Sequence, residues 1–294
     1  MGILIGVLEQ GLIYGIMALG VYITYKILDF PDLTVDGTFP MGAAVTAVLI
    51  TGGANPYAAL IASFAAGALA GAVTGLIHVK FKVRDLLSGI IMMTALYSIN
   101  MRITGKANVP IFTQPTVFDN PAVNSVMPHG FTAYKTFFIA LILSLVAKYL
   151  LDGYLRTKSG YLLRAAGDNP VIVTSLAKDH GLVKIVGLAI ANGLVALGGS
   201  AMCQQQRFFD ISMGTGTVVI GLASVIIGTN IFKNSRFIRP TSAVLIGSIL
   251  YKGCVALAIA QGFKASDMKL ITALLFLIIL VATMDRKKKV KGDA

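Results

Sequence analysis

The chain has no tryptophan, two cysteines and three histidines in 294 residues. Cys203 and Cys254 both lie in or near apolar runs, so no disulfide framework is expected. His78, His129 and His180 are scattered without the spacing of a metal site, and no metal is expected. No G-x-S-x-G or H-E-x-x-H run occurs, which leaves no catalytic cluster for a membrane enzyme. No G-x-x-x-x-G-K-[ST] run occurs either, so the chain cannot cradle ATP in a P-loop. Charge is scarce at 13% of residues, against about 25% for a soluble domain. Residues 1–8 carry no basic residue ahead of an apolar run, so the first run is expected to be a retained span and not a cleaved signal. Without tryptophan, tyrosines such as Tyr57 and Tyr134 are left to anchor the chain at the membrane interface.

What is abundant is apolar sequence, 56% of the chain, with mean hydropathy +0.79. Several runs of about 20 residues have few or no charges, the signature of membrane-spanning helices. Helices satisfy their own backbone in lipid, and no ten-residue alternation of barrel strands is visible. The expected fold is one all-α polytopic membrane domain over residues 1–294. It has about nine transmembrane helices (eight to ten), over 3–25, 39–51, 57–78, 86–104, 132–151, 182–202, 215–232, 239–262 and 268–284. The net charge of +12 would suit nucleic acid, but its distribution argues for membrane lipid and against nucleic acid. Lysines and arginines cluster in "HVKFKVR" (78–84), in 152–181, in "FKNSRFIR" (232–239) and in the C-terminal "DRKKKVK". Placing these segments, Lys26 and Lys148 inside leaves only eight of 25 basic residues elsewhere, which predicts a cytoplasmic C-terminus. Nine crossings then put the N-terminus outside.

Two short stretches echo each other. "DLTVDGT" (32–38) and "DISMGTG" (210–216) each precede a short apolar run, a break holding Pro56 or Pro240, and a second apolar run. Five spans separate them, so the halves, about 28–104 and 205–284, read as an inverted-topology repeat with sites near short broken helices. Phe39–Thr51 gives only about 20 Å of helix against a core of about 30 Å, so both polar heads are expected below the membrane surface. Thr38 is the expected N-cap, with Pro40 in the first turn, and that N-terminus could attract a substrate carboxylate.

Two readings stay open for Asp32, Thr34, Asp36, Thr38, Asp210, Ser212 and Thr215: caps at the interface, or lining of a substrate pathway. "MMTALYSINMRITGKANVP" adds Thr94, Tyr97 and Asn100, as a cavity wall or as a helix–helix hydrogen-bond face. Lys252 lies mid-span, with Glu9, Asp36 and Asp210 as candidate partners, and either pairs with one of them or meets substrate. The small residues of "GALAGAVTG" (67–75) and "GLVALGG" (193–199) predict close helix packing.

The internal run 159–181 predicts a short helix over 160–166, with Ser159 as N-cap and Gly167 as stop. Asn169 would cap a second helix starting at Pro170. Tyr161, Leu162, Leu163 and Arg164 on such an insert read as a docking knob for a cytoplasmic partner. The run Gly160, Tyr161, Leu162, Leu163, Arg164, Ala165, Ala166, Gly167, Asp168, Asn169, Pro170 resembles the cytoplasmic coupling motif of permease subunits of ABC importers, in the branched-chain amino acid and ribose permease superfamily. "DLTVDGTFPMGAAV" and "TGTVVIGLASVIIGTNIF" resemble its repeated membrane segments. "LEQGLIYGIMALGVYITYKILDF" and "GIIMMTALYSINMRI" are most similar to the branch assigned to tryptophan and tyrosine uptake, where a basic residue is expected at Lys252.

The resemblance implies a non-catalytic subunit in a bacterial inner membrane, paired with a second copy. Two cytoplasmic ATPase subunits would bind ATP and magnesium, and an external substrate-binding protein would dock near 105–131. The chain itself would carry no cofactor. The implied substrate is an aromatic amino acid; branched-chain amino acids and nucleosides remain open. A self-sufficient secondary transporter shares the repeat but gives no reason for the capped knob.

Overall fold

The computed structural model describes residues 2–120, 134–168, 179–233, 237–262, 270–274, 276–278 and 280–281. Helix α1 (Gly2–Tyr22) continues into a single π turn, Ile23–Ile27, which the sequence did not announce. It stops where Asp29 takes a positive φ two residues before Pro31. Helix α2 (Val35–Thr51) ends at Gly52 and Gly53. Helix α3 (Pro56–Lys80) starts on Pro56, with the Asn55 side chain accepting from the Tyr57 N–H at 2.9 Å. Helix α4 (Asp85–Thr104) is closed by left-handed Gly105. After strand β1 (Asn108–Pro110) come α5 (Lys135–Leu155), α6 (Lys158–Asp168) and α7 (His180–Gln206). Strand β2 (Phe208–Asp210) and a 3-10 turn, Ile211–Gly214, lead to α8 (Thr217–Ile231) and α9 (Pro240–Ala260). The described residues of 270–281 are helical.

Seven helical segments among the described residues are long and apolar enough to cross a membrane, and α2 is a shorter apolar one. The chain is a polytopic all-α membrane protein, as its composition requires. Helices α1 and α7 carry the centre: Ile13, Ile16, Met17 and Leu19 of α1 are fully buried, as are Leu188, Val195, Ala201 and Met202 of α7. Helix α7 packs against α1, α2 and α3. The "GALAGAVTG" stripe is why α3 comes so close. A Cβ on Gly71 would run into the Leu188 carbonyl of α7, and one on Gly67 into the Asn192 carbonyl.

The bundle has two distinct ends. At one, Phe30 meets His78 edge-on at 5.2 Å, His180 Nε2 lies 3.2 Å from the Ala166 carbonyl, and Arg239 reaches Asp152 at 3.2 Å. Described residues of three of the basic segments, 78–84, 152–181 and 232–239, therefore gather at this end; the C-terminal segment lies outside the described residues. At the other end, β1 pairs antiparallel with β2, and Gln204 donates to the Pro56 carbonyl while accepting from the Val117 N–H. Arg207 and Lys135 both pair with Asp119 there. The segment 105–131, where the binding protein was expected to dock, thus contains a short strand in its described part.

Two further expectations are corrected. Helix α2 starts at Val35, four residues before the predicted span, so it runs 17 residues or about 25 Å. Thr38 is inside it and Thr34 occupies the N-cap position without a side-chain cap bond. Pro40 is consequently within the helix. It offers no N–H to the Asp36 carbonyl, and Gly214 packs against that carbonyl, close enough that a Cβ would collide. The internal helix is also longer than read: α6 starts at Lys158, passes through Gly167, and its Gly160 N–H is held by Thr157 Oγ1 at 3.3 Å.

Candidate functional site

The first turns of α2 and α8 meet. Asp36 Oδ1 accepts from the Val218 N–H at 2.8 Å and from Thr217 Oγ1 at 2.9 Å, while Oδ2 accepts from the Gly216 N–H at 3.1 Å. Gly216, in the left-handed region at φ 84, turns the chain so that these donors converge. The carboxylate fills the anion-binding position that a helix N-terminus creates. Helix α2 starts from the basic end of the bundle and α8 from the opposite end, so one aspartate ties together two helix starts approaching from opposite sides. The adjacent α2 carbonyl, Gly37, accepts from Asn100 Nδ2 of α4 at 3.0 Å.

Behind this junction is a buried polar cluster. Asp32 Oδ1 holds the Thr34 N–H at 2.9 Å, and Oδ2 accepts from Asn192 Nδ2 at 2.7 Å. Asn192 Oδ1 in turn accepts from Thr38 Oγ1 at 2.8 Å, and Thr34 meets Thr74 at 3.0 Å. Asp32, Thr34, Thr38 and Asn100 are all buried, so their hydrogen bonds fix the start of α2 against α3, α4 and α7. Asp210 is a local cap: it accepts from the Ser212 N–H at 2.8 Å and from the Ser212 hydroxyl, and Asn108 reaches it at 3.3 Å. Burial pushes its carboxyl up, and these bonds outweigh that and hold it below the usual carboxylate range.

The other candidates face outward. Thr94 and Tyr97 of α4 are exposed, Tyr97 by 54%, and so are Ser212 and Thr215 beside the Asp36 junction. The 211–214 turn packs on both α2 and α4, which brings this exposed polar set near Asp36. Lys252 has no salt bridge among the described residues. Its Nζ stands 3.7 Å from the Tyr14 ring centroid, so the expected pairing with Glu9, Asp36 or Asp210 is replaced by an aromatic face. A groove of ≈ 530 Å³ between α3, α5 and α7, lined by residues such as Ile61, Leu150 and Leu194, contains none of these groups. With no charged side chain, it suits acyl chains better than a zwitterion.

At the basic end, α6 lies against the helix ends. Leu163 and Ala166 are buried, whereas Tyr161, Arg164 and Asp168 are exposed. Leu162, Ala165 and Gly167 are half-buried. Gly160 and Gly167 let the helix touch the backbone of Leu155 and Ile27. The sequence-predicted residues Asn169 and Pro170 lie outside the described residues. Close by, Asp152 accepts from Thr241 Oγ1 at 2.6 Å and pairs with Lys148 and Arg239 at 3.2 Å each. Nothing in the single sequence singled out Asp152, although its i, i+4 spacing from Lys148 was a usable signal. Asn192 and Thr217 were missed too; a lone amide inside "AIANGLVALGG" was the clue to the first.

A family model described as "Branched-chain amino acid transport system / permease component" matches residues 3–283. The chain belongs to this permease family. It is thus the permease component of an ABC-type transport system, a multi-pass bacterial membrane subunit and not an enzyme. A tyrosine transport system permease protein of Clostridioides difficile (strain R20291) is 45% identical over 277 residues, 94% of this permease and 90% of that one. The ribose import permease protein RbsC of Escherichia coli (strain K12) is 25% identical over 97% of this permease and 86% of its own length. Among solved structures, PsaBC from Streptococcus pneumoniae in complex with Fab superposes with a TM-score of 0.53. It is 14% identical and covers 93% of this permease and 89% of that chain, a likeness of fold alone.

Proposed function

We propose that the permease serves an ATP-driven importer for an aromatic amino acid, tyrosine or tryptophan, delivered by an external binding protein. The relative named for tyrosine transport, 45% identical along nearly the whole chain, supports the substrate class. The observation that carries the mechanism is α6. Its buried Leu163 and Ala166 pin it to the bundle, and its exposed Tyr161 and Arg164 face away from it. A helix so fixed transmits a push from a partner without folding on contact. Residues Gly160–Pro170 are the proposed ATPase contact, so this end is cytoplasmic, with the C-terminus inside and the N-terminus outside. Two ATPase subunits supply ATP and magnesium chemistry, and two copies of the permease form the passage between them.

In this reading the halves 28–104 and 205–284 are inverted copies whose broken helices, α2 and α8, meet at Asp36. The exposed set Thr94, Tyr97, Ser212 and Thr215, with Asp36 and Lys252, lines the passage. The buried Asp32, Thr34, Thr38 and Asn100 hold its wall. The test is co-purification of the tagged permease from its native membrane. An ATPase chain carrying a Walker motif should come with the wild type and be lost with Arg164→Glu. Retention of the ATPase by that variant and by a deletion of 161–166 would sink the docking assignment.

A further inference from the structure

Lys252 is a cation twelve residues into the 21-residue helix α9, deep in a membrane-spanning segment. A charge at that depth needs a partner or a use. None of Glu9, Asp36 and Asp210 forms a salt bridge with Lys252 among the described residues. Both oxygens of Asp36 are taken by the first turn of α8. Asp210 holds its own turn through Ser212. What Lys252 does have is an aromatic platform. Its Nζ is 3.7 Å from the centroid of the Tyr14 ring, and that ring also stacks on Phe39 at 5.7 Å and 13°. Phe39 is buried and lies three residues, about one turn, beyond Asp36 on α2. Tyr14 and Lys252 are both only half-buried, so the pair is not sealed inside the bundle.

A ring face compensates an ammonium less fully than a carboxylate does. We propose that Lys252, Tyr14 and Phe39 form a station for the aromatic amino acid during its passage. Lys252 takes the substrate α-carboxylate. In moving to it, the ammonium leaves its face of Tyr14, and the substrate ring stacks there on a platform already held flat by Phe39. The empty station is kept intact by the lysine acting as placeholder, and the exchange trades one cation–π contact for an ion pair and a ring stack. This rests on the aromatic substrate proposed above and adds which groups of the chain recognise it.

The chain lacks tryptophan, so in detergent micelles of the purified full chain the emission of added L-tryptophan reports on the ligand alone. The expected result is a saturable blue shift, competed by L-tyrosine and absent or far weaker for tryptamine, which has no carboxylate. Lys252→Gln should weaken L-tryptophan binding about tenfold or more, the scale of one charge-assisted contact, without weakening tryptamine, while Lys252→Arg restores most of it. Tyr14→Leu should weaken both ligands. Equal binding of L-tryptophan and tryptamine to the wild type overturns the station, and that arm needs no variant to fold. So does unchanged L-tryptophan binding in Lys252→Gln, or no saturable shift at all up to the solubility limit. Labelled tyrosine uptake by the intact importer is a separate readout: uptake without binding at Lys252 removes the station and leaves the transport function standing.

Discussion

The Asp36 carboxylate of α2 accepts the Val218 N–H of α8 at 2.8 Å, across 182 residues of sequence. One side chain therefore caps a helix that begins from the opposite side of the bundle. Two N-termini pointing at each other would repel through their dipoles, and a single negative charge between them makes the arrangement favourable.

Asp36→Ala removes the acceptor for two backbone donors and the Thr217 hydroxyl at once. The expected loss is about 3 kcal/mol, from about 1–3 kcal/mol for each donor left unpaired, and melting of the purified permease measures it. Asp36→Asn keeps one acceptor oxygen and should melt within about 2 kcal/mol of wild type while transporting more slowly. Normal transport by both variants would make Asp36 a dispensable cap.

Arg164 is an exposed side chain on a helix anchored by Leu163 and Ala166. Reversing its charge should leave stability within about 0.5 kcal/mol, as for surface substitutions generally. ATP-dependent uptake should nevertheless fall steeply. Insertion, checked by gel filtration of the detergent-solubilised chain, should be unaffected. A matching loss of folded protein would mean that Arg164 acts on the fold instead.

Asp152 shows how a buried charge behaves when its partners are removed. It joins Lys148, Arg239 and Thr241 and links α5 to the start of α9. Asp152→Ala leaves Lys148, itself buried, without a counter-charge, at a cost of about 3–5 kcal/mol. The pair Asp152→Leu with Lys148→Met should recover most of that, because an apolar pair needs no compensation. Thermal melts of the two variants against wild type check both statements.

Gly71→Val places a branched side chain against the Leu188 carbonyl of α7. The helices must part, and the expected cost is about 2 kcal/mol, the usual scale of overpacking. Gly153→Ala, where nothing lies within 4 Å of the added carbon, is the control and should melt like wild type.

Hydropathy was enough to find the apolar helices, and the small-residue stripes were enough to find the α3–α7 contact. The breaks at Pro56 and Pro240 were legible, and proline fixes both helix starts locally. The start of α2 was not. Pro40 looked like a first-turn residue, and only the meeting with Gly214 and α8 explains why the helix begins before it. The echo of 32–38 in 210–216 singled out two segments that meet in the structure, yet not Asp36 reaching across to cap the other. Long-range pairing of this kind leaves no local period. Lys252 was legible as an oddity, but its Tyr14 platform joins residues 238 positions apart that only folding brings together.

The most direct measurement of the central claim is uptake by proteoliposomes that contain this permease and its partner ATPase, supplied with the binding protein and labelled amino acid. Tyrosine or tryptophan should accumulate inside against its gradient only with ATP present, and Arg164→Glu should abolish that accumulation while the chain remains folded. Accumulation without the ATPase, or of nonaromatic solutes alone, would contradict the account.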